Sequence, residues 1–342
     1  MSIRTSRLVW LALACSSVII GIALATRAAT EQVITRLASE SEEAVALQVG
    51  TLERLLITVS HDLAYLARGR ALGDCLEGPA IDSPGACLGD TQRDWSAFLA
   101  AQPEYDQIRW LDETGLERIR VNQSPTGPVV VPAAELQNKA DRYYFTGAMA
   151  LPPGAVFVSP LDLNIEHGAI ELPHKPMLRL AQRVFDRAGA ARGIVIVNYL
   201  ALELLQALAD PGESDTWLLN QDGYWLRGPR AEDEWGFMLD RPERTLARRD
   251  PAAWARIRAE ARGSFETAAG LWHFDTLAPA RVMARDLATH PRQAPAPAAS
   301  PAPDLAASGE QWKVVDLVPR SAYRGEVAAI WLRYGLILLT LL

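Results

Sequence analysis

The longest uninterrupted apolar stretch of the chain lies close to its amino terminus. Leu8 to Ala25 reads LVWLALACSSVIIGIALA and contains no ionisable group other than the thiol of Cys15. As a helix this stretch would be about 27 Å long, which is enough to cross the hydrocarbon core of a bilayer. The pattern therefore predicts a transmembrane helix over residues 8–26.

The residues on either side of this stretch predict its orientation. Arg4 and Arg7 precede it, and short basic leaders tend to remain in the cytoplasm. Residues 1–7 are then a cytoplasmic leader, and the chain that follows is exported. A cleaved signal peptide is the alternative interpretation, because small residues follow at Ala28 and Ala29.

A helical apolar period continues after the anchor, from Thr30 to Arg68, without a proline. This pattern predicts a long stalk helix within residues 27–70. At about 60 Å, such a helix needs a partner along its length, either a sheet or the same helix of a second subunit. A homodimer through the stalk is therefore expected.

The remainder of the chain alternates between short strands and short helices, and it does so twice. Turn residues such as Glu113-Thr114-Gly115 and Gln221-Asp222-Gly223 separate the predicted strands of two hairpins. The first set is predicted to contain a helix at Gln92–Ala101, strands at Ile108–Leu111 and Leu116–Val121, a helix at Ala133–Tyr144, and strands at Ala155–Ser159, Met177–Phe185 and Gly193–Tyr199.

The second set repeats this order. It is predicted to contain a helix at Leu200–Leu208, strands at Thr216–Asn220 and Tyr224–Arg227, a helix at Pro251–Ala261, and strands at Gly270–Thr276 and Gln311–Val318. The segment APAPAASPAP, residues 294–303, is predicted to be an exposed loop because of its proline and alanine content. The recurrence indicates an α+β chain with two antiparallel-sheet units.

The carboxyl-terminal sequence from Ile330 to Leu342, IWLRYGLILLTLL, is again apolar. Trp331, Arg333 and Tyr334 are residue types found at membrane interfaces. Residues 321–342 are therefore predicted to be an exit helix and the start of a second, truncated span, since the residues after Tyr334 reach only about 12 Å. An amphipathic helix on the membrane surface is the alternative.

The composition of the chain argues against some classes of partner and ligand. The chain is 49% hydrophobic and 22% charged, as in ordinary globular proteins, and its net charge of -7 argues against nucleic acid as a partner. Cys75 and Cys87 bracket a short loop and are candidates for a disulfide in an oxidising compartment, with two free thiols as the alternative. No second cysteine or histidine cluster lies at metal-ligand spacing, so no metal site is expected.

The sequence carries no motif of a common enzyme class. None of its five histidines lies in an HExxH motif, and the GxSxG, P-loop and Rossmann glycine patterns do not occur. Glu113 and Glu117 flank a turn, which explains them better than paired acid and base catalysis does. Neither catalysis nor a cofactor is expected.

Taken together, several segments resemble the double Cache family of bacterial extracytoplasmic sensor domains. The segments that carry the resemblance are YDQIRWLDETGLERIRVN (105–122), LQNKADRYYF (136–145), VFVSPLDLNIEHG (156–168), GIVIVNYLALELL (193–205), WLLNQDGYWL (217–226) and QWKVVDLVP (311–319). The resemblance implies a stalk helix carrying two tandem PAS-like modules between membrane spans. Residues 71–200 would form the membrane-distal, ligand-binding module and residues 201–320 the membrane-proximal, relaying module.

The resemblance also implies where a ligand would bind. Arg142-Tyr143-Tyr144 corresponds to the family's RxW-type motif, in which the arginine pairs with a ligand carboxylate and an aromatic residue forms a pocket wall. Members that bind amino acids place an aspartate at the end of the last distal strand. This chain has Asn198 there, which argues against an ordinary α-amino acid ligand.

Further candidates come from charge and position. Arg109, Lys139, Arg179 and Arg183 join Arg142 in concentrating positive charge in an acidic protein, which suits a small anion, although surface ion pairs would explain some of them. Trp110 is either a pocket wall or a core residue, and Asn164 either touches the ligand or lies in a solvated loop. The predicted ligand-binding residues are Arg142, Tyr144, Arg109, Trp110, Asn198, Lys139 and Asn164.

These observations predict the extracytoplasmic sensing region of a receptor in the cell inner membrane, with residues 30–324 periplasmic. It would bind a small, anionic solute such as a carboxylate, and a cytoplasmic histidine kinase or diguanylate cyclase would be missing from the chain. A membrane-anchored scaffold or output-less receptor remnant is one alternative, and a cell-envelope hydrolase is another.

Overall fold

The amino-terminal region is one uninterrupted helix. In a computed structural model, which describes residues 3–77, 86–166, 168–208, 215–289 and 309–341, helix α1 runs from Ile3 to Ala67. Its 65 residues contain no proline and extend over about 97 Å. The predicted anchor and stalk are thus parts of a single helix. Among the described residues, only α1 is long and apolar enough to span a membrane, within a stretch that begins at Leu13.

The chain from α1 to residue 200 forms a seven-stranded sheet with short helices and a small hairpin. Its elements are α2 (Arg70–Leu76), α3 (Ala86–Ala101), β1 (Tyr105–Leu111), β2 (Glu117–Asn122), β3 (Val129–Val130), α4 (Tyr143–Met149), β4 (Val156–Val158), β5 (Asp162–Leu163), β6 (Ile165–Glu166), β7 (Ala169–Ile170), β8 (Pro176–Phe185) and β9 (Ala191–Leu200). The strand order is β3-β2-β1-β9-β8-β4, with β5 also paired to β8, while β6 and β7 pair with each other.

One face of this sheet packs against α1. Ile108 of β1 pairs with Val121 of β2 and with Val197 of β9, and all three are fully buried. They share one apolar cluster with Leu56 and Leu63 of the helix. Because burial of each such side chain contributes about 1.5–3 kcal/mol, this face fixes the sheet on the stalk.

A five-stranded sheet follows. Its elements are α5 (Leu202–Gln206), β10 (Asp215–Leu219), β11 (Trp225–Arg227), α6 (Leu246–Arg249), α7 (Pro251–Ala259), β12 (Arg262–Glu266), β13 (Gly270–Leu277), α8 (Pro279–Thr289), β14 (Trp312–Pro319) and α9 (Arg320–Leu341), with strand order β11-β10-β14-β13-β12. One face packs Trp217 and Trp272 against Trp254 of α7. Trp312 and Val314 on the other face belong to the same cluster as α1 and the first sheet, so one core joins both sheets.

The predicted helix at Ala133–Tyr144 is wrong. Only a short 3-10 turn at Ala133–Glu135 forms there, and α4 begins at Tyr143. The segment between them is held extended by the adjacent hairpin, since the Glu117 N–H donates to the Gln137 carbonyl at 3.0 Å and the Lys139 N–H donates to the Gly115 carbonyl at 2.7 Å. These tertiary hydrogen bonds outweigh the local helical preference.

Other boundaries differ less. Helix α3 begins at Ala86 rather than Gln92, and the predictions contained neither β12 nor α8. The exit helix α9 packs along α1, where Arg36 forms an ion pair with Glu326 at 2.9 Å. The predicted loop at residues 294–303 lies outside the described residues.

A disulfide joins Cys75 of α2 to Cys87 of α3, with their Cα atoms 5.3 Å apart. We expect the double substitution of both cysteines by serine to lower the free energy of unfolding by about 3 kcal/mol, because the unfolded chain then regains the entropy of the closed loop. Urea unfolding of the oxidised protein and the variant measures the difference. Adding a reductant should destabilise the wild type by a similar amount and leave the variant unchanged. Equal midpoints for oxidised wild type and variant would contradict the prediction.

Candidate functional site

Four polar side chains form a row across the centre of the seven-stranded sheet. Gln107 of β1 pairs with Asn122 of β2 on one side and with Asn198 of β9 on the other, and Asn198 also pairs with Arg179 of β8. Directly opposed residues of antiparallel strands lie on the same face. The row therefore lies on the face turned away from α1.

Arg109 lies one pair further along the same face and is the most connected residue of the site. Its side chain is only 6% exposed. One terminal nitrogen donates to the Tyr144 hydroxyl at 3.2 Å and the other to Oδ1 of Asn198 at 3.1 Å. The guanidinium carbon also lies 5.3 Å from the centre of the Tyr144 ring. Arg109 thus ties β1 to β9 and to α4.

Glu117 provides the countercharge beneath the site. This fully buried carboxylate lies 3.6 Å from Arg109 and 3.4 Å from Arg120 and accepts a hydrogen bond from the Gln137 N–H at 3.1 Å. One carboxylate faces two guanidinium groups, so positive charge remains in excess. The Nε atoms of Arg109 and Arg120 have no hydrogen-bond partner among the described residues.

A cavity of about 420 Å³ opens above these rows. Its charged lining consists of the cations Arg109, Arg120, Lys139, Arg142 and Arg179 and the single carboxylate of Glu166. Polar side chains from the sheet form the floor, and Tyr144 forms part of the wall. A low-dielectric recess lined mainly by one sign of charge attracts ligands of the opposite sign.

Arg142 and Arg179 differ in how they are held. Arg142 is exposed and forms no ion pair within the described part of the chain, whereas Arg179 is bound to Asp162 at 2.8 Å. Burial raises the pKa of the Asp162 carboxyl, and the charge of Arg179 opposes this only in part. A second terminal nitrogen of Arg179 donates to Oδ1 of Asn164 at 3.4 Å. An anion in the cavity can therefore compete with Asp162 for Arg179.

Six of the seven residues predicted for ligand binding line this cavity. They are Arg109, Lys139, Arg142, Tyr144, Asn164 and Asn198.

Trp110 does not line the cavity. Strand residues alternate between faces, so the neighbour of Arg109 points into the core against α1, where it is 2% exposed and its indole N–H donates to the Arg192 carbonyl at 2.9 Å. Of the two alternatives for this residue, the core position is the observed one. Arg183 also lies elsewhere, donating to the Leu151 carbonyl at 3.0 Å.

Sequence reasoning missed five lining residues, Gln107, Arg120, Asn122, Gln137 and Ile165. A signal for two of them exists in the sequence of β2, where the polar Arg120 and Asn122 alternate with the apolar Ile119 and Val121 and so share one face. Glu117 was also missed as a charge partner because it was interpreted as a turn residue.

Comparison with known proteins identifies a matching family and a shared fold. Residues 65–281 match the family model described as bacterial histidine kinase, sensor domain. A comparison with curated proteins finds no match.

Solved structures of similar fold come from extracytoplasmic sensors. The extracellular domain of the putative histidine kinase vpHK1S-Z8 is 19% identical, with a TM-score of 0.64 over 83% of this chain and 92% of that one. A domain of a putative sensory box/GGDEF family protein from Vibrio parahaemolyticus is 19% identical, with a TM-score of 0.65 over 83% and 97%. The sensory domain of a Campylobacter jejuni chemoreceptor with isoleucine bound is 9% identical, with a TM-score of 0.52 over 86% and 96%.

Proposed function

Because the chain belongs to the bacterial histidine kinase sensor-domain family, we propose that it binds a small anionic solute in the periplasm and relays this event through the inner membrane. The observation that carries the proposal is the cavity in which five cationic side chains, the buried Arg109 among them, face one carboxylate. The family is one of sensor domains, so the chain's role is recognition and the catalytic output belongs to another domain.

The side chains around the cavity favour a carboxylate ligand. Arginine presents a planar fork that matches a carboxylate, and the exposed guanidinium of Arg142 can reach an entering ligand without first breaking an ion pair. The amides of Gln107, Asn122 and Asn198 then bind carboxylate, hydroxyl or carbonyl oxygens.

An α-amino acid fits this lining less well. The Campylobacter jejuni chemoreceptor with isoleucine bound shows that this fold can hold an amino acid. An ammonium group needs a carboxylate or other strong acceptors. The position on β9 that faces the cavity is the neutral Asn198, and the lining has one carboxylate, Glu166, against five cations. We therefore propose carboxylates without an ammonium group as the preferred class.

For the relay, we propose that residues 71–200 bind the ligand and residues 201–320 transmit the change. The Leu163 N–H of β5 donates to the sulfur of Met238 in the second sheet unit at 3.0 Å. Leu163 lies between Asp162, the partner of Arg179, and Asn164 of the cavity wall. A ligand that competes for Arg179 would therefore alter a strand that contacts the second unit directly, as a population shift between two arrangements requires.

The stalk offers a surface for the proposed homodimer. Leu47 is 61% exposed and Tyr65 is 70% exposed on α1, although both lie on a helix whose other side is buried. Exposed apolar side chains along one line of a long helix favour pairing with a second helix.

The test is binding of carboxylates to the wild type and to Arg142→Gln. Acetate, succinate, malate and citrate at constant ionic strength should include at least one that raises the melting temperature of the wild type progressively as its concentration exceeds the dissociation constant. Loss of the charge-assisted bonds of Arg142 should weaken that ligand about tenfold or more.

Arg262→Gln, which removes another exposed arginine outside the cavity, is the matched control and should bind as the wild type does. A flat response of the wild type to every carboxylate would favour the membrane-anchored scaffold instead.

A further inference from the structure

A second, larger cavity lies in the half of the molecule nearer the anchor, and nothing described so far uses it. It has a volume of about 630 Å³ and is bounded by α1, α8, the loop between α7 and β12, and the facing ends of β13 and β14. None of its lining residues belongs to the first cavity. We propose that it binds a second small, multiply charged anion, such as a phosphate or a polycarboxylate.

Lys313 of β14 is a buried cation in the wall of this cavity. This residue is 6% exposed, and its ammonium group donates to the Glu260 carbonyl and to Oγ1 of Thr276, both at 2.7 Å. It forms no ion pair with a carboxylate within the described residues. Burial lowers the pKa of Lys313, and the charge of Asp275 opposes this only in part. A buried cation without a bound countercharge is unfavourable, and an anion in the cavity would supply that countercharge.

The ammonium group also retains a donor for such a ligand. An ammonium has three N–H groups, and the two hydrogen bonds to Glu260 and Thr276 use two of them. Lys313 itself is one of the residues that line the cavity.

Cationic residues outnumber acidic residues in the lining. The cavity is lined by Arg258, Arg281, Arg285 and Lys313 and by two acidic residues, Glu53 and Glu260. Glu53 is bound to Arg285 at 2.8 Å, so this pair is neutral. Arg258 is exposed and forms no ion pair within the described residues, so its guanidinium can turn toward a ligand beside Lys313.

Distance from the membrane identifies the source of the anion. Glu53 follows Arg27, the first charged residue after the apolar stretch, by 26 residues of uninterrupted helix, which corresponds to about 39 Å. A phospholipid headgroup does not extend that far from the bilayer. The ligand is therefore a dissolved anion.

The experiment counts binding sites by calorimetry. The full chain in phosphatidylcholine nanodiscs is titrated with citrate and with inorganic phosphate at constant ionic strength. For at least one of these anions we expect a site that survives Arg142→Gln and is weakened about tenfold or more by Lys313→Met and by Arg258→Gln. Arg248→Gln, at an exposed arginine of α6 that lines neither cavity, is the matched control and should retain that site.

The outcomes separate this proposal from that for the first cavity. If Arg142→Gln removes all binding, the second site is refuted and the first stands. The proposal is also refuted if the site keeps its affinity in Lys313→Met and in Arg258→Gln as well as in Arg142→Gln. It is refuted again if neither anion binds to Arg142→Gln. Because Lys313 is buried, Lys313→Met could fail to fold; the exposed Arg258 then decides the outcome alone.

Discussion

Replacing Arg109 by methionine should abolish anion binding in the first cavity and lower the free energy of unfolding by about 3 kcal/mol or more. Arg109 is buried and bonded to Tyr144 and Asn198, so its removal takes away both a ligand contact and the tie between α4 and the sheet. It also leaves the buried carboxylate of Glu117 with Arg120 as its remaining cation. Urea unfolding and calorimetric titration of the ligand identified with wild type measure the two effects.

The double variant Arg109→Met with Glu117→Gln separates these effects. A neutral amide has no charge to leave unpaired, so the second substitution should restore a large part of the lost stability while anion binding remains absent. If the double variant were as unstable as Arg109→Met, the Glu117 charge would not be the cause. If Arg109→Met bound the anion as tightly as wild type, Arg109 would have no part in recognition.

Trp110→Ala should lower the free energy of unfolding by about 3–5 kcal/mol, because it leaves a cavity between the sheet and α1. The indole is 2% exposed and its hydrogen bond to Arg192 is also lost. Thermal and urea unfolding measure the change. Leu172→Ala, at a position that is 76% exposed, is the matched control and should change stability by about 0.5 kcal/mol or less.

The same variant tests which face of the sheet binds the ligand. Trp110 and Arg109 are neighbours in sequence but lie on opposite faces, so the folded fraction of Trp110→Ala should bind the anion with nearly wild-type affinity. A loss of affinity comparable to that of Arg109→Met would place the ligand on the α1 face and contradict the site described above.

Much of the fold could be predicted because local patterns and final structure agree. Three elements show this agreement: the buried strand GIVIVNYL, the turn at Gly115 and the long proline-free helix. In each, the spacing of apolar residues or the turn residue predicts the structure that tertiary contacts then preserve. The segment Ala133–Tyr144 could not be predicted in this way. Its backbone is fixed by hydrogen bonds to Gly115 and Glu117, which lie about 20 residues earlier.

The sequence predicted many residues that line the cavity but not the row in which some of them meet. Arg142 and Tyr144 lie in one short motif, and six predicted residues do line the cavity. The polar row through Gln107, Asn122 and Asn198 depends on the register between β1, β2 and β9, and β9 lies some 80 residues away from the others. Register of distant strands is set by the packed core, so the sequence alone does not show which polar residues meet.

Because α1 is continuous, the rotation of its apolar stretch about the helix axis is fixed relative to both sheets. With 3.6 residues per turn, one residue inserted between the apolar stretch and Arg36 would rotate the anchor by about 100° relative to both sheets and advance it by about 1.5 Å. Four inserted residues would leave a net rotation of only about 40° but a displacement of about 6 Å. Helix α9 is bound to α1 beyond this point by the ion pair between Arg36 and Glu326. Such insertions would therefore distinguish a signal carried by rotation of α1 from one carried by its displacement along the helix axis.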